Sequence, residues 1–162
     1  GYILEGKLRR GYGVVGEVGH IPINANGPKC QCGQRGCLEL YASGSALASK
    51  WPANGAIPGP QALLQAANRG DKRANDILCE FYQAVAISVR NIILGIGPQA
   101  VIIGGGVTRL GEPMLLGVRS ALDDLCVDSA FLKSLNMPGR VTLIEPGAPV
   151  AAIGAAVLAA EI

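Results

Sequence analysis

Apolar and polar positions change period along this chain. GYILEG and KLRRG alternate on either side of Glu5-Gly6 and predict two short strands joined by a turn, and HIPIN (20–24) alternates as a half-buried strand does. From Cys37 the spacing lengthens. LELYASGSALASKW (38–51) predicts a helix with Leu38, Tyr41, Leu47 and Trp51 available for packing, weakened by Gly44. WPANGAIPGP then breaks the pattern as a loop, and Pro60 suits the first turn of a helix PQALLQAANRG. Asp71 opens the longest predicted helix, in which Ile77, Leu78, Phe81, Val85, Val89, Ile92 and Ile93 recur near helical spacing until Gly95, Gly97 and Pro98 stop it.

The second half repeats strand and helix signals. AVIIGGGV (100–107) is a continuous apolar run of the kind buried in a parallel sheet, a helix is expected from Glu112 to about Val127, and VTLIEPG (141–147) reads as another strand. VAAIGAAVLAAEI (150–162) closes the chain as a small-residue helix in which Gly154 would allow close packing against a neighbour. This order predicts α/β layering. The best internal boundary is the 51–60 loop, with an α/β part from about residue 60 to 162.

Composition adds limits. With 162 residues and 49% hydrophobic content the chain can bury one ordinary core, and a net charge of +2 with scattered basic residues leaves no footprint for nucleic acid. No uninterrupted apolar run approaches the roughly 18 residues of a membrane span, and the start does not follow the order of a signal peptide, so no membrane partner and a cytoplasmic location are expected. In a reducing compartment five cysteines point to metal ligation rather than a disulfide framework. The chain begins with Gly rather than Met and enters strand-like sequence at once, so an N-terminal portion is expected to precede it.

The metal ligands are clustered. His20, Cys30, Cys32 and Cys37 follow the pattern H-x9-C-x-C-x4-C, three thiolates and one imidazole, the closed tetrahedral set of a structural zinc site. Gly27 and Pro28 reverse the chain before the first cysteine, and Gly33 and Gly36 let the backbone fold around the ion. Cys79 and Cys126 fall at apolar positions of helices and read as core residues. The sole histidine is committed to the metal set, so no Ser-His-Asp arrangement is available.

GEVGH (16–20), CQCGQRGCLE (30–39) and VIIGGGV (101–107) carry a resemblance to the ROK family of repressors, open reading frames and sugar kinases, and the resemblance extends over the whole chain as the family's C-terminal portion. It implies the C-terminal lobe of an actin-like, ribonuclease-H-like ATPase fold with an inserted zinc-binding loop (16–43), the N-terminal lobe lying outside this sequence. Glu17, His20 and Glu39 match the positions that hold sugar hydroxyls, and Gly104, Gly105 and Gly106 match the adenosine side of a nucleotide site. A carboxylate accepts from two hydroxyls, and an imidazole can bind metal through one nitrogen while donating from the other. Zinc would hold the loop that presents the carboxylates without touching the sugar.

Two kinds of parent protein are compatible with the resemblance. One is a sugar-responsive transcriptional regulator that meets DNA only through a preceding helix-turn-helix; the other is an ATP- and Mg2+-dependent sugar kinase. The resemblance places the kinase's catalytic aspartate and phosphate-holding turn upstream, and Asp71, Asp76, Asp123, Asp124 and Asp128 match no such motif, so this chain alone is expected to phosphorylate nothing. Leu38 stands where kinases of the family have a larger aromatic, and GAPVAAIGAA departs from the acidic residue usual in their C-terminal motif, which favours the regulator. The expected ligand is a sugar or sugar phosphate, and the expected assembly a homo-oligomer.

Overall fold

In the computed structural model, which describes residues 1–160, Tyr2–Leu4 (β1) and Lys7–Arg9 (β2) pair antiparallel with Ile3 opposite Leu8. Glu5 and Gly6 between them both take positive φ, 54° and 72°, the two-residue turn that matches strand twist. HIPIN does not become a strand. Val18–His20 forms a 3-10 turn, and beyond it only an isolated bridge between Pro22 and Cys37 is made, because proline brings no N–H to extend a ladder.

The helix expected from residue 38 is two helices, Glu39–Ala42 (α1) and Gly44–Lys50 (α2). The break falls at Ser43, whose extended backbone (ψ 160°) ends α1 and whose Oγ accepts from the Ala46 N–H at 3.0 Å to cap α2. Gly59–Asn68 (α3) carries Pro60 in its first turn as expected. Asp71 caps Lys72–Ile96 (α4) by accepting from the Ala74 N–H, and Gly97 in the left-handed region (φ 67°) ends it.

By length and composition α4 could cross a bilayer, but its apolar face is the centre of the core. Leu78, Phe81, Val85, Val89 and Ile93 are buried there. They pack with Leu63 of α3 and with Met114, Val118 and Leu122 of Glu112–Cys126 (α5). Gly117 of α5 faces the Tyr82 ring so closely that a β-carbon would overlap it, which sets the approach of α5 to α4. Cys126 is buried as expected. Cys79 is exposed, because it follows Leu78 onto the solvent side of α4.

Val101–Ile103 (β3) and Val141–Leu143 (β4) pair in parallel, Val101 with Val141 and Ile103 with Leu143, linked through α5 and a short helix Ala130–Ser134 (α6) that the periodicity did not predict. Arg119 of α5 donates to the Val141 carbonyl at 2.9 Å. The β3 run is not buried on both faces: Ile102 is 61% exposed, since among the described residues β4 is its one partner strand. Val150–Ala160 (α7) buries no residue, and among the described residues nothing lies within 4 Å of a β-carbon built on Gly154, so none of them packs closely there. The last two residues of that expected helix, Glu161 and Ile162, lie outside the described residues.

Candidate metal centre

The residues between the 3-10 turn and α1 have no long element to hold them and fold on their own backbone. Cys30 N–H donates to the Gln34 carbonyl at 2.7 Å, Gly36 N–H to Pro28 at 2.9 Å and Leu38 N–H to Ile21 at 3.0 Å, so three short links close the loop into a knuckle. Gly36 has φ 67°, and a β-carbon on it would overlap the Asn24 carbonyl oxygen. Gly27 is confined in the same way by the buried Tyr41 hydroxyl, which has no hydrogen-bond partner among the described residues.

This closure brings the four sequence-predicted ligands together. One ligand atom from each of His20, Cys30, Cys32 and Cys37 lies within 4.8 Å of the others. Cys32 and Cys37 sulfurs are 3.6 Å apart, and His20 Nδ1 is 3.9 Å from Cys30 Sγ. Two thiolates held at about 2.3 Å from one tetrahedral ion are roughly 3.8 Å apart, so the donor set fits a metal ion of that size and geometry.

The thiols are not equivalent. Donation from Gln34, first by its backbone N–H and then by its side-chain amide, lowers Cys32 to about 6. Burial, followed by hydrogen bonding and repulsion from Cys32 and Cys30, pushes Cys37 up to about 12. A cation at the centre would stabilise the Cys37 thiolate that its surroundings disfavour. Gln34 supports the cluster further: its side-chain nitrogen donates to the His20 carbonyl at 3.1 Å and lies 3.5 Å from Cys32 Sγ. The spacing of the four ligands does not mark Gln34 for this part.

Glu39 enters at the start of α1, two residues past Cys37, and its Oε2 lies 3.9 Å from His20 Nδ1. A β-carbon on Gly19 would stand 3.7 Å from Glu39 Cβ, so the GEVGH turn rests against this residue. His20 and Glu39 line one cavity of about 600 Å3, together with Cys30, Gln31, Cys32, Leu40, Ser43, Ser45, Ala46 and Ser49. Glu17 is exposed at the residue before the 3-10 turn and is not among the lining residues. The apolar spacing of 38–51 does not mark these serines, because it predicts one continuous helix and the break at Ser43 starts the helix from which Ser45 and Ser49 line the cavity.

The glycine turn lies elsewhere. Gly105 takes φ 82°, and Gly106–Leu110 is a 3-10 turn rather than the start of the following helix. Gly105 and Gly106 line a separate cavity of about 460 Å3 with Arg109, Glu145 and Pro149. Gly104 packs on Ile144, to which a β-carbon would come within 3.1 Å.

A model of the ROK family matches residues 1–162. The chain belongs to the ROK family. It is 33% identical over 144 residues to a glucokinase of Thermotoga maritima, covering 80% of this chain and 44% of that protein. It is 38% identical over 117 residues to a xylose repressor of Bacillus subtilis, covering 72% of this chain and 30% of the repressor. Among solved structures it is similar to a ROK family glucokinase from Streptomyces griseus in complex with glucose and AMPPNP, with TM-score 0.66, 29% identity, and coverage of 85% of this chain and 54% of that one. The chain therefore spans less than half the length of these two curated relatives, and this ROK portion has the α/β build of the family's sugar kinases.

Proposed function

We propose that this chain is the sugar-binding part of a sugar-responsive ROK-family transcriptional regulator, in which a structural zinc ion held by His20, Cys30, Cys32 and Cys37 supports the site. The observation that carries the reading is the placement of Glu39 and His20 at 3.9 Å in one cavity of about 600 Å3 that Cys30 and Cys32 of the four metal donors also line. Zinc supplies no reactive position here, since four protein ligands fill a tetrahedral shell. Its contribution is to fix the loop. His20 meets the thiols through Nδ1, which leaves Nε2 to donate to a sugar hydroxyl, while the Glu39 carboxylate accepts from hydroxyls. Glu17 would join them from the GEVGH turn as the second acceptor. DNA would be met by a preceding helix-turn-helix, and the protein would act in the cytoplasm as a homo-oligomer.

The xylose repressor relative, together with Leu38 and the acid-free GAPVAAIGAA segment, supports the regulator. A second reading, the C-terminal part of a sugar kinase, is favoured by the cavity beside Gly105 and Gly106 and by the glucokinase relative. In that case Gly104, Gly105 and Gly106 would approach the adenosine of ATP, and Mg2+ would accompany the phosphates. The test uses the full-length protein. A mobility-shift assay on the DNA upstream of its own gene, with D-xylose and D-glucose added, should show binding that sugar changes, and a coupled assay with ATP should show no phosphoryl transfer. Sugar-dependent turnover of ATP would replace the regulator reading by the kinase one.

A further inference from the structure

Gln34 is not one of the four candidate ligands, yet it bonds to three of them. Its backbone carbonyl accepts from the Cys30 N–H at 2.7 Å. Its side-chain nitrogen donates to the His20 carbonyl at 3.1 Å and to Cys32 Sγ at 3.5 Å, and so joins two ligands that come from opposite ends of the loop. The partners fix which way the amide points. A peptide carbonyl only accepts, so the NH2 group and not the oxygen faces it, and that group carries two protons, one for each partner.

The His20 carbonyl has a second donor in the Cys37 thiol, whose Sγ lies 3.6 Å away. That donor is spent when Cys37 binds metal, because ligation takes the thiolate. The Gln34 amide then remains to hold the carbonyl and, through it, the backbone that carries the imidazole. Cys32 also needs holding. Cys30 and Cys37 are buried, whereas Cys32 is exposed among the described residues, so packing restrains it least of the three thiols. What meets its sulfur is the Gln34 side chain, together with the backbone N–H of the same residue.

On the reading that His20, Cys30, Cys32 and Cys37 hold zinc, we propose that Gln34 is the positioning residue of the site: its amide ties Cys32 to His20 and sets how firmly the metal is retained. A hydrogen bond to a ligating sulfur draws electron density from it, and one to the carbonyl of a ligating residue fixes where its ring stands. Neither bond is a metal bond, so the ligand set survives their loss while affinity falls. The loop keeps its closure as well, since the link to Cys30 uses the Gln34 backbone and not its side chain.

The full-length protein, loaded with Zn2+ or with Co2+, tests this as wild type, Gln34→Leu and Gln34→Glu. Gln34 is exposed, so neither change reaches the core. Competition with a chromogenic chelator should show Zn2+ held about ten- to hundredfold more weakly by Gln34→Leu. Gln34→Glu should lose at least as much, because it keeps the size of the side chain but turns an acceptor toward two acceptors. In the Co2+ protein the ligand-field bands of a tetrahedral site should persist in Gln34→Leu. Its sulfur-to-metal charge-transfer band should move to longer wavelength, because a sulfur that loses a hydrogen bond gives up electron density more easily. Wild-type affinity in the Gln34→Glu protein, which a side chain that merely fills space would also give, overturns the inference and leaves the zinc site standing. Weaker binding by Gln34→Leu with an unmoved charge-transfer band overturns it as well, since the amide would then act on the loop and not on the sulfur. If wild type takes up neither ion, the zinc reading itself fails and the inference goes with it.

Discussion

His20 Nδ1 lies 3.9 Å from both Cys30 Sγ and Glu39 Oε2, and with that nitrogen given to the metal set its Nε2 is the one left to donate to a ligand. A residue in that position links whatever the thiols hold to whatever the carboxylate holds. Glu39 is half-exposed, so its charge serves no purpose in the core and is free for a ligand. Replacing it by Gln keeps the size but turns two accepting oxygens into one acceptor and one donor. The lost charge-assisted hydrogen bond costs about 1.5 to 3 kcal/mol, roughly ten- to hundredfold in sugar affinity. Calorimetry on the full-length wild type and Glu39→Gln, with zinc measured in both, checks this. Equal affinities with zinc retained would make Glu39 an ordinary charge in the first turn of a helix.

At the scale of elements the junction between α1 and α2 decides the shape of the cavity. Ser43 ends one helix and caps the next through the Ala46 N–H, and Ser45, Ala46 and Ser49 reach the cavity from the helix it starts. Ser43→Ala removes the cap, which costs about 1 kcal/mol, and should lower stability by that amount in denaturant unfolding while zinc stays bound. Unchanged stability would mean that packing alone, through the buried Ala46 and Leu47, fixes the break. The same junction explains where sequence reading stopped. Asp71 and Gly97 were legible as the ends of α4 because each signal is local and has one meaning. The metal ligands were legible because four donors within 18 residues are rarely there for another reason. Ser43 was not, since a serine inside an amphipathic pattern reads as a solvent-facing position until its backbone turns. HIPIN alternates correctly for a strand, but a strand also needs a partner and a free N–H, and Pro22 offers no N–H. The exposure of Ile102 and of α7 depends on what packs there, which no periodicity records.

At the scale of the whole molecule the buried residues of the metal loop lie outside the main cluster of the helical core. The main cluster of buried apolar residues starts at Leu47 and runs to Val141 through α2, α3, α4 and α5. Cys30, Cys37 and Leu38 are buried but do not belong to it. The loop is closed chiefly by its short backbone links and, when metal is bound, by ligation, with Val18, Ile21 and Leu38 beside Ile92 and Ile96 of α4, whereas Phe81, Leu63 and Met114 belong to the main cluster. Ligation also needs deprotonated thiols, and metal affinity should fall as pH falls, with Cys37, pushed up to about 12, the most costly to ionise. Removing zinc with a strong chelator at neutral pH should then open the loop and spare the core. Far-UV circular dichroism should stay close to its starting value, because α3, α4 and α5 carry most of the helix. Amide exchange measured by mass spectrometry should accelerate between residues 18 and 38 and remain slow across 72–96. Sugar binding should be lost in the same sample and return on adding zinc back, since His20 and Glu39 are positioned by the loop. A cooperative loss of helical signal on chelation would show instead that loop and core fold as one unit. Slow exchange across 18–38 after complete zinc removal would show that the backbone links suffice, and the metal would then have no structural role.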